Sequence, residues 1–463
     1  MTVADTVLAA LASDEAQAQS RWLDWLRIPS VSTQPDHAAD CRHAAEWAAA
    51  ELRRLGFTAR LVETKRHPVV LAHHPGPGNG GRGPHLLYYG HYDVQPAEPL
   101  ELWTSPPFEP TLREGPNGPQ VVARGAVDDK GQVAMWLAAF GAWHTATGTL
   151  PLPITVVIEG EEEIGSPHLD AFLKEHAAEL RADGAVISDT GMWDAATPAI
   201  CTSLRGLVYM QVDLQAADRD LHSGLFGGSA LNPLNALTRA LGELHGADGR
   251  VALDGFYDGV ADVPAALRAQ WESLDYSETE ALGEIGLSVP VGERGRGALE
   301  RLWARPTADI NGIWGGYAGD GSKTVIPAKA GAKVSFRLVP GQDPARVEAA
   351  FKDFMRARVP ADAKLSFQSF SNSPGIAVPT DGPLIAAARA ALEAEYGRPA
   401  LLVGGGGSIP VVGSLKAVLG LDTLLMGFGL DDDRIHSPNE KFDVLCFRHG
   451  MRSHARLLGA LAT

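Results

Sequence analysis

His91 and Asp93, the pair Asp128-Asp129, the run Glu161-Glu162-Glu163, Asp189 and His436 have the types and spacing to do chemistry. Imidazole and carboxylate are the groups that borderline and hard divalent cations take as ligands. Adjacent carboxylates repel one another, and each resists burial. Two neighbouring acids can nonetheless divide the work of hydrolysis. One binds metal, and the other stays free to take a proton from water.

The elements that must position these groups are legible as short apolar runs. Leu86-Leu87-Tyr88-Tyr89 leads into Gly90-His91-Tyr92-Asp93. Ile154-Thr155-Val156-Val157-Ile158 leads into Glu159-Gly160 and the three glutamates, and Ala185-Val186-Ile187-Ser188 into Asp189. Thr423 to Phe428 leads into a loop carrying His436. Such runs read as buried strands of a parallel sheet. In open α/β sheets the crevice lies beyond the carboxyl ends of the strands. Segments distant in sequence would thus deliver ligands to one edge, which points to a metal-dependent hydrolase.

Taken singly, each segment also has a plainer reading. His91 and Asp93, two apart at a strand end, can face the same way. Asp93 then accepts the second imidazole N–H or holds another catalytic group. Asp128-Asp129-Lys130-Gly131 precedes a helical stretch, where one acid serves as a cap and gains from the dipole. A pair of acids followed by Lys and Gly is more than a cap needs. The three glutamates alone would make a solvated acidic turn. Asp431 to Glu440 would make an acidic loop before a helix, and His222, in Asp220-Leu221-His222-Ser223-Gly224, a structural histidine.

The 463 residues exceed one ordinary core, so two domains are expected. A net charge of −16 argues against nucleic acid and anionic membrane surfaces as partners. No apolar run is long enough for a transmembrane helix. Residues 1–27 lack the basic start and apolar stretch of a signal peptide and read as an amphipathic helix. Cys41, Cys201 and Cys446 are few, odd in number and far apart, which fits free thiols in a reducing cytoplasm.

A helix running to about Trp143, the strand from Ile154, a helix from Ser166-Pro167 through Leu180 and the strand from Ala185 read as α/β structure with parallel strands. The pattern changes near Arg205. Leu207–Leu214, Val334–Val339 and Leu365–Phe370 alternate as half-exposed strands, with helices capped by Asn232-Pro233 and Asp343-Pro344. Between them, Asp254 to Arg305 is charged and irregular. The expected fold is an α/β domain with a largely parallel sheet flanked by helices, made from 1–206 and 379–463. An α+β domain, 207–378, is inserted into it.

Together the segments resemble the M20 family of metallopeptidases, and most closely its dipeptidase branch. The resemblance is carried by Gly90 to Pro96, Arg124 to Gly131, Glu159 to Ser166, Ile187-Ser188-Asp189, Asp220 to Gly228, Gly406 to Pro410 and Arg434 to Lys441, in family order. It implies two divalent metal ions, Zn²⁺ or Mn²⁺, bridged by Asp128. His91 and Asp189 complete one ion, and Glu163 and His436 the other. It implies Glu162 as general base for a water shared by the ions, and Asp93 as support for His91. It also implies that the inserted domain is a lid that forms a homodimer. His222 and Thr324 would reach the partner's site, Arg337 would grip a substrate carboxylate, and Ser408 would contact substrate. The expected reaction is release of a C-terminal residue from dipeptides or short peptides. An N-acyl-amino-acid deacylase with the same centre is the alternative, and a non-catalytic metal-binding protein is a rival of another class.

Overall fold

The computed structural model describes residues 2–78, 83–407 and 409–462. The chain forms two compact units: Met1–Thr202 with Val378–Val403 and Pro410–Thr463, and Ser203–Ala377 with Gly404–Ile409. The short return 404–409 goes with the second unit, whereas the sequence pattern assigned everything after 379 to the first.

In the first unit the strands Ile154–Glu159, Leu86–His91, Gly184–Ile187 and Thr423–Leu425 lie side by side in that order, all parallel. Their side chains are buried throughout, as near-continuous apolar runs require. Antiparallel strands flank them, Val69–His74 and Thr58–Val62 on one side and Ala199–Leu204 on the other, so the sheet as a whole is mixed. Ile154–Glu159 and Gly184–Ile187 are not neighbours, because Leu86–His91 lies between them. The helix expected from Ser166 is Leu169–Glu175, and Ser166 itself is left-handed at φ 52° and caps nothing.

The helix Lys130–Thr147 is apolar nearly all round. It is buried between the sheet and two outer helices, Val3–Leu26 and Val444–Leu461. Trp136 and Phe140 from it join Trp22, Trp25, Tyr88 and Phe447 in the core. This helix begins where the acidic pair ends, so the core fixes the position of Asp128 and Asp129. Gly131 is needed there, since a Cβ at 131 would strike the carbonyl of Ala126.

The second unit is a four-stranded antiparallel sheet in the order Thr307–Gly315, Lys329–Leu338, Gly206–Gln215, Lys364–Ser373. One face, with Val208, Met210, Val212, Val334 and Phe336, packs against the helices Pro233–Gly242 and Pro344–Arg358. Asn232 and Asp343 cap those helices through their side-chain oxygens. The stretch 254–305, irregular by sequence, contains the short helices Ala265–Glu272, Glu278–Glu284 and Ala298–Trp303. Its buried Arg305 pairs with the buried Glu293 at 2.7 Å, and the half-buried Arg250, from just before the stretch, reaches the same carboxylate at 2.9 Å. Among the described residues no helix is long and apolar enough to cross a membrane, and the three cysteines are free and buried.

Candidate metal centre

His91 ends its strand, Asp189 lies two residues beyond Ile187, and Asp128 precedes the central helix, so all three reach one sheet edge. His91 Nε2 stands 3.2 Å from one Asp128 oxygen and 3.9 Å from Asp189. The other Asp128 oxygen is 3.0 Å from His436 Nε2, which is 3.3 Å from Glu163. Two groups of possible ligands result among the described residues, His91–Asp128–Asp189 and Asp128–Glu163–His436, and Asp128 belongs to both.

The donor set fits divalent cations. His91 Nδ1 lies 3.0 Å from the Asp93 carbonyl, which can only accept, so the proton sits on Nδ1. In the neutral imidazole Nε2 is then a bare lone pair, fully buried and without a hydrogen-bond partner, aimed at two carboxylates. A cation between these atoms satisfies all of them at once. The electrostatics agree. Burial, with the charge of Asp128, pushes Asp189 up to about 7. Burial likewise raises Glu163 and carries Glu162 well up. The Asp128 and Glu163 carboxylates hold His436 up at about 10.

The three glutamates have separate environments. Glu161 is spoken for: one oxygen accepts from the Thr64 hydroxyl at 2.6 Å and the His67 N–H at 3.0 Å, and the other meets His168 at 2.6 Å. Glu163 faces His436, and Gln95 Nε2 donates to it at 2.8 Å. Glu162, between them, belongs to neither ligand group; burial, His91 and Asp189 are the main influences on its carboxyl. The Asp93 carboxylate accepts the backbone N–H groups of Glu162 and Glu163, at 3.3 and 3.0 Å. Its oxygen is 3.4 Å from His91 Nδ1, further than its own carbonyl.

Several residues within the sequence motifs take positioning roles that the motifs left unassigned. Asp129 accepts the His91 N–H at 3.0 Å. Lys130, fully buried and pulled down to about 7 by burial, donates to the carbonyls of Trp25 and Ile28. Glu440 is completely buried, and its oxygens accept from the N–H groups of Gly125, Val127 and Asp128 at 2.9–3.1 Å and from Arg124 at 2.8 Å. The one signal in sequence was a carboxylate four places after His436. Breaking a buried, hydrogen-bonded ion pair from one side costs about 3–5 kcal/mol. Glu440→Ala is therefore expected to lower unfolding stability by that amount in urea titration. A loss below about 1 kcal/mol would show that the 124–128 loop is held by other contacts.

His436 lies in a costly piece of backbone. Arg434, His436 and Asn439 all have positive φ, between 57° and 64°. Ties on either side hold the loop: Lys441 pairs with Asp432 and Asp433 at 2.8 Å, and Asn439 accepts from the Thr104 N–H at 2.8 Å.

The second unit carries the remaining candidates. Leu221–His222 pairs antiparallel with Val325–Ile326, which brings His222 beside Thr324, and the Ser223 N–H donates to the Thr324 carbonyl. Both residues are exposed. Arg337 lies half-buried on the sheet face away from the helices, opposite Leu207 and Thr307. Ser408 lies outside the described residues.

Known proteins resemble this chain along nearly its full length. It is 31% identical over 445 residues to the Cys-Gly metallodipeptidase DUG1 of Candida albicans, covering 92% of this chain and 91% of the relative. It is 29% identical to the Beta-Ala-His dipeptidase of Rattus norvegicus, covering 93% and 90%. The solved structure of the dipeptidase Dug1p from Saccharomyces cerevisiae superposes with a TM-score of 0.83 at 28% identity, covering 100% of this chain and 99% of the other. The model of peptidase family M20/M25/M40 matches residues 87–460, which span the sheet edge where these carboxylates and imidazoles gather, and the chain belongs to this family.

Proposed function

We propose that the protein is a di-metal dipeptidase, which hydrolyses dipeptides or short peptides and releases their C-terminal residue. Asp128 carries the proposal, because its two oxygens face two separate imidazoles at 3.2 and 3.0 Å. The relatives named for Cys-Gly and Beta-Ala-His substrates support a substrate of dipeptide size. His91 and Asp189 hold one ion, Glu163 and His436 the other, with Asp128 shared; Zn²⁺ and Mn²⁺ both suit this donor set. Bound there, the ions supply positive charge that acidifies water and polarises the scissile carbonyl.

The chain's own groups do the rest. Glu162 takes the proton of the attacking water and passes it to the leaving amine. Asp93 holds the turn that bears Glu162, and Gln95 orients Glu163. The second unit is a lid through which two copies pair in the cytoplasm. His222 and Thr324 serve the partner's site, where His222 donates to the tetrahedral oxyanion. Arg337 takes the substrate's carboxylate with its planar fork.

Chelation is expected to abolish activity, and Zn²⁺ or Mn²⁺ to restore it. The assay compares free dipeptides with matching N-acetyl amino acids. Metal-dependent turnover of the dipeptides is the expected result. Turnover of the acetyl substrates alone would make the enzyme a deacylase, and silence on both would remove the catalytic reading.

A further inference from the structure

The face of the second unit's sheet that the helices leave uncovered carries a second arginine beside Arg337. In the antiparallel ladder Arg337 stands opposite Leu207. Arg205 stands two residues before Leu207, just ahead of the strand, and the alternation of buried and half-buried residues runs on through it from Val208 to Leu204. Diagonal neighbours on one face lie within reach of long side chains. The charges register this closeness: burial, and then the Arg337 guanidinium, pull Arg205 below its ordinary value, with Asp309 opposing. Asp309 is on the neighbouring strand, two residues from Thr307, the residue opposite Arg337.

Arg205 is also tied to the glycine-rich segment ahead of Ser408. Its N–H donates to the Gly407 carbonyl at 3.1 Å, and its Nε to the Gly406 carbonyl at 3.2 Å. The same segment is packed from another side by the end of the 254–305 stretch. A Cβ at Gly404 would lie 2.5 Å from the Cβ of Trp303. Arg205 is thus held at a defined place by its backbone N–H and its Nε.

Two guanidiniums on one sheet face repel each other, and a planar anion between them turns that repulsion into attraction. We propose that Arg205 is a second specificity-determining residue, which with Arg337 forms a two-arginine site for the C-terminal carboxylate of the peptide substrate. The inference rests on the dipeptidase reading and on the role given there to Arg337. It gives the glycine-rich segment a task, which is to aim Arg205, and it gives the 254–305 stretch one as well, which is to brace that segment.

The test measures kcat and KM for a free dipeptide and its C-terminal amide, with metal content checked in each protein. The proteins are wild type, Arg337→Met, Arg205→Met and Arg205→Lys. Arg205→Met is expected to raise KM for the free dipeptide at least about tenfold and to leave KM for the amide unchanged. Arg205→Lys keeps the charge without the fork, so its KM falls between; it is read alone if methionine at 205 unfolds the chain. An equal rise on both substrates, or none, while Arg337→Met still discriminates, would overturn the role of Arg205 and leave the dipeptidase reading standing. If neither arginine variant discriminates, the Arg337 assignment fails and the two-arginine site fails with it. If wild type cleaves no dipeptide, the dipeptidase reading itself is the one at fault.

Discussion

Glu162→Gln is expected to keep its full complement of metal and to lose about 10²–10⁴ in kcat, with KM little changed. The variant keeps the size of the side chain and removes the group that accepts a proton. Glu162 stands apart from both ligand groups, so metal has no reason to leave. The turn beneath it is held by its backbone N–H, which donates to Asp93 and is untouched by the substitution. Single-turnover kinetics together with metal analysis make the check. Retained turnover would remove Glu162 from the chemistry. Loss of metal along with turnover would make it a ligand instead of a base.

Asp128→Asn is expected to weaken both ions together, by more than the 10–100-fold typical of a residue that merely supports a ligand. The reason is geometric. One oxygen faces His91 and the other His436; asparagine replaces one with an NH₂ that cannot ligate and leaves the other a neutral carbonyl, a weaker ligand than a carboxylate. His436→Ala is the companion variant, since His436 belongs to one ligand group alone. It is expected to lose one ion and retain the other. Metal analysis after dialysis separates the cases, and two ions per chain in the asparagine variant would end the assignment of Asp128 as the shared ligand.

The candidate ligands were partly legible in sequence because burial and chemistry speak in different residues. An apolar run of four to six residues announces a strand, and the first polar group after it sits at the sheet edge. His91 and Asp189 could be located that way, whereas Glu163 and His436 were singled out among neighbouring acids and loop residues by the family resemblance. The division among Glu161, Glu162 and Glu163 could not be read from position. It depends on Thr64, His67 and His168, which occupy Glu161 from two other segments. Glu440 escaped for the same reason, its partners lying more than 300 residues away in the chain. Strand order escaped too. Ile154–Glu159 and Gly184–Ile187 look like consecutive neighbours, yet an earlier strand runs between them. The helices within 254–305 are short, and they are linked by single contacts, the pairs Arg301–Glu278 and Arg268–Glu300 and the rings of Trp271 and Trp303, instead of by a long apolar stripe.

Asp93 uses its two ends differently. Its carbonyl meets the ring of His91, and its carboxylate meets the amides of Glu162 and Glu163. The distance from the proposed ligand to the turn that bears the proposed base is therefore spanned by the bonds of a single amino acid, acting as a ruler. Side-chain packing elsewhere can loosen, and the sheet can breathe with temperature, without lengthening that ruler. Ring and turn are hydrogen-bonded to the same residue, so their spacing is set by those bonds and by that residue's torsions.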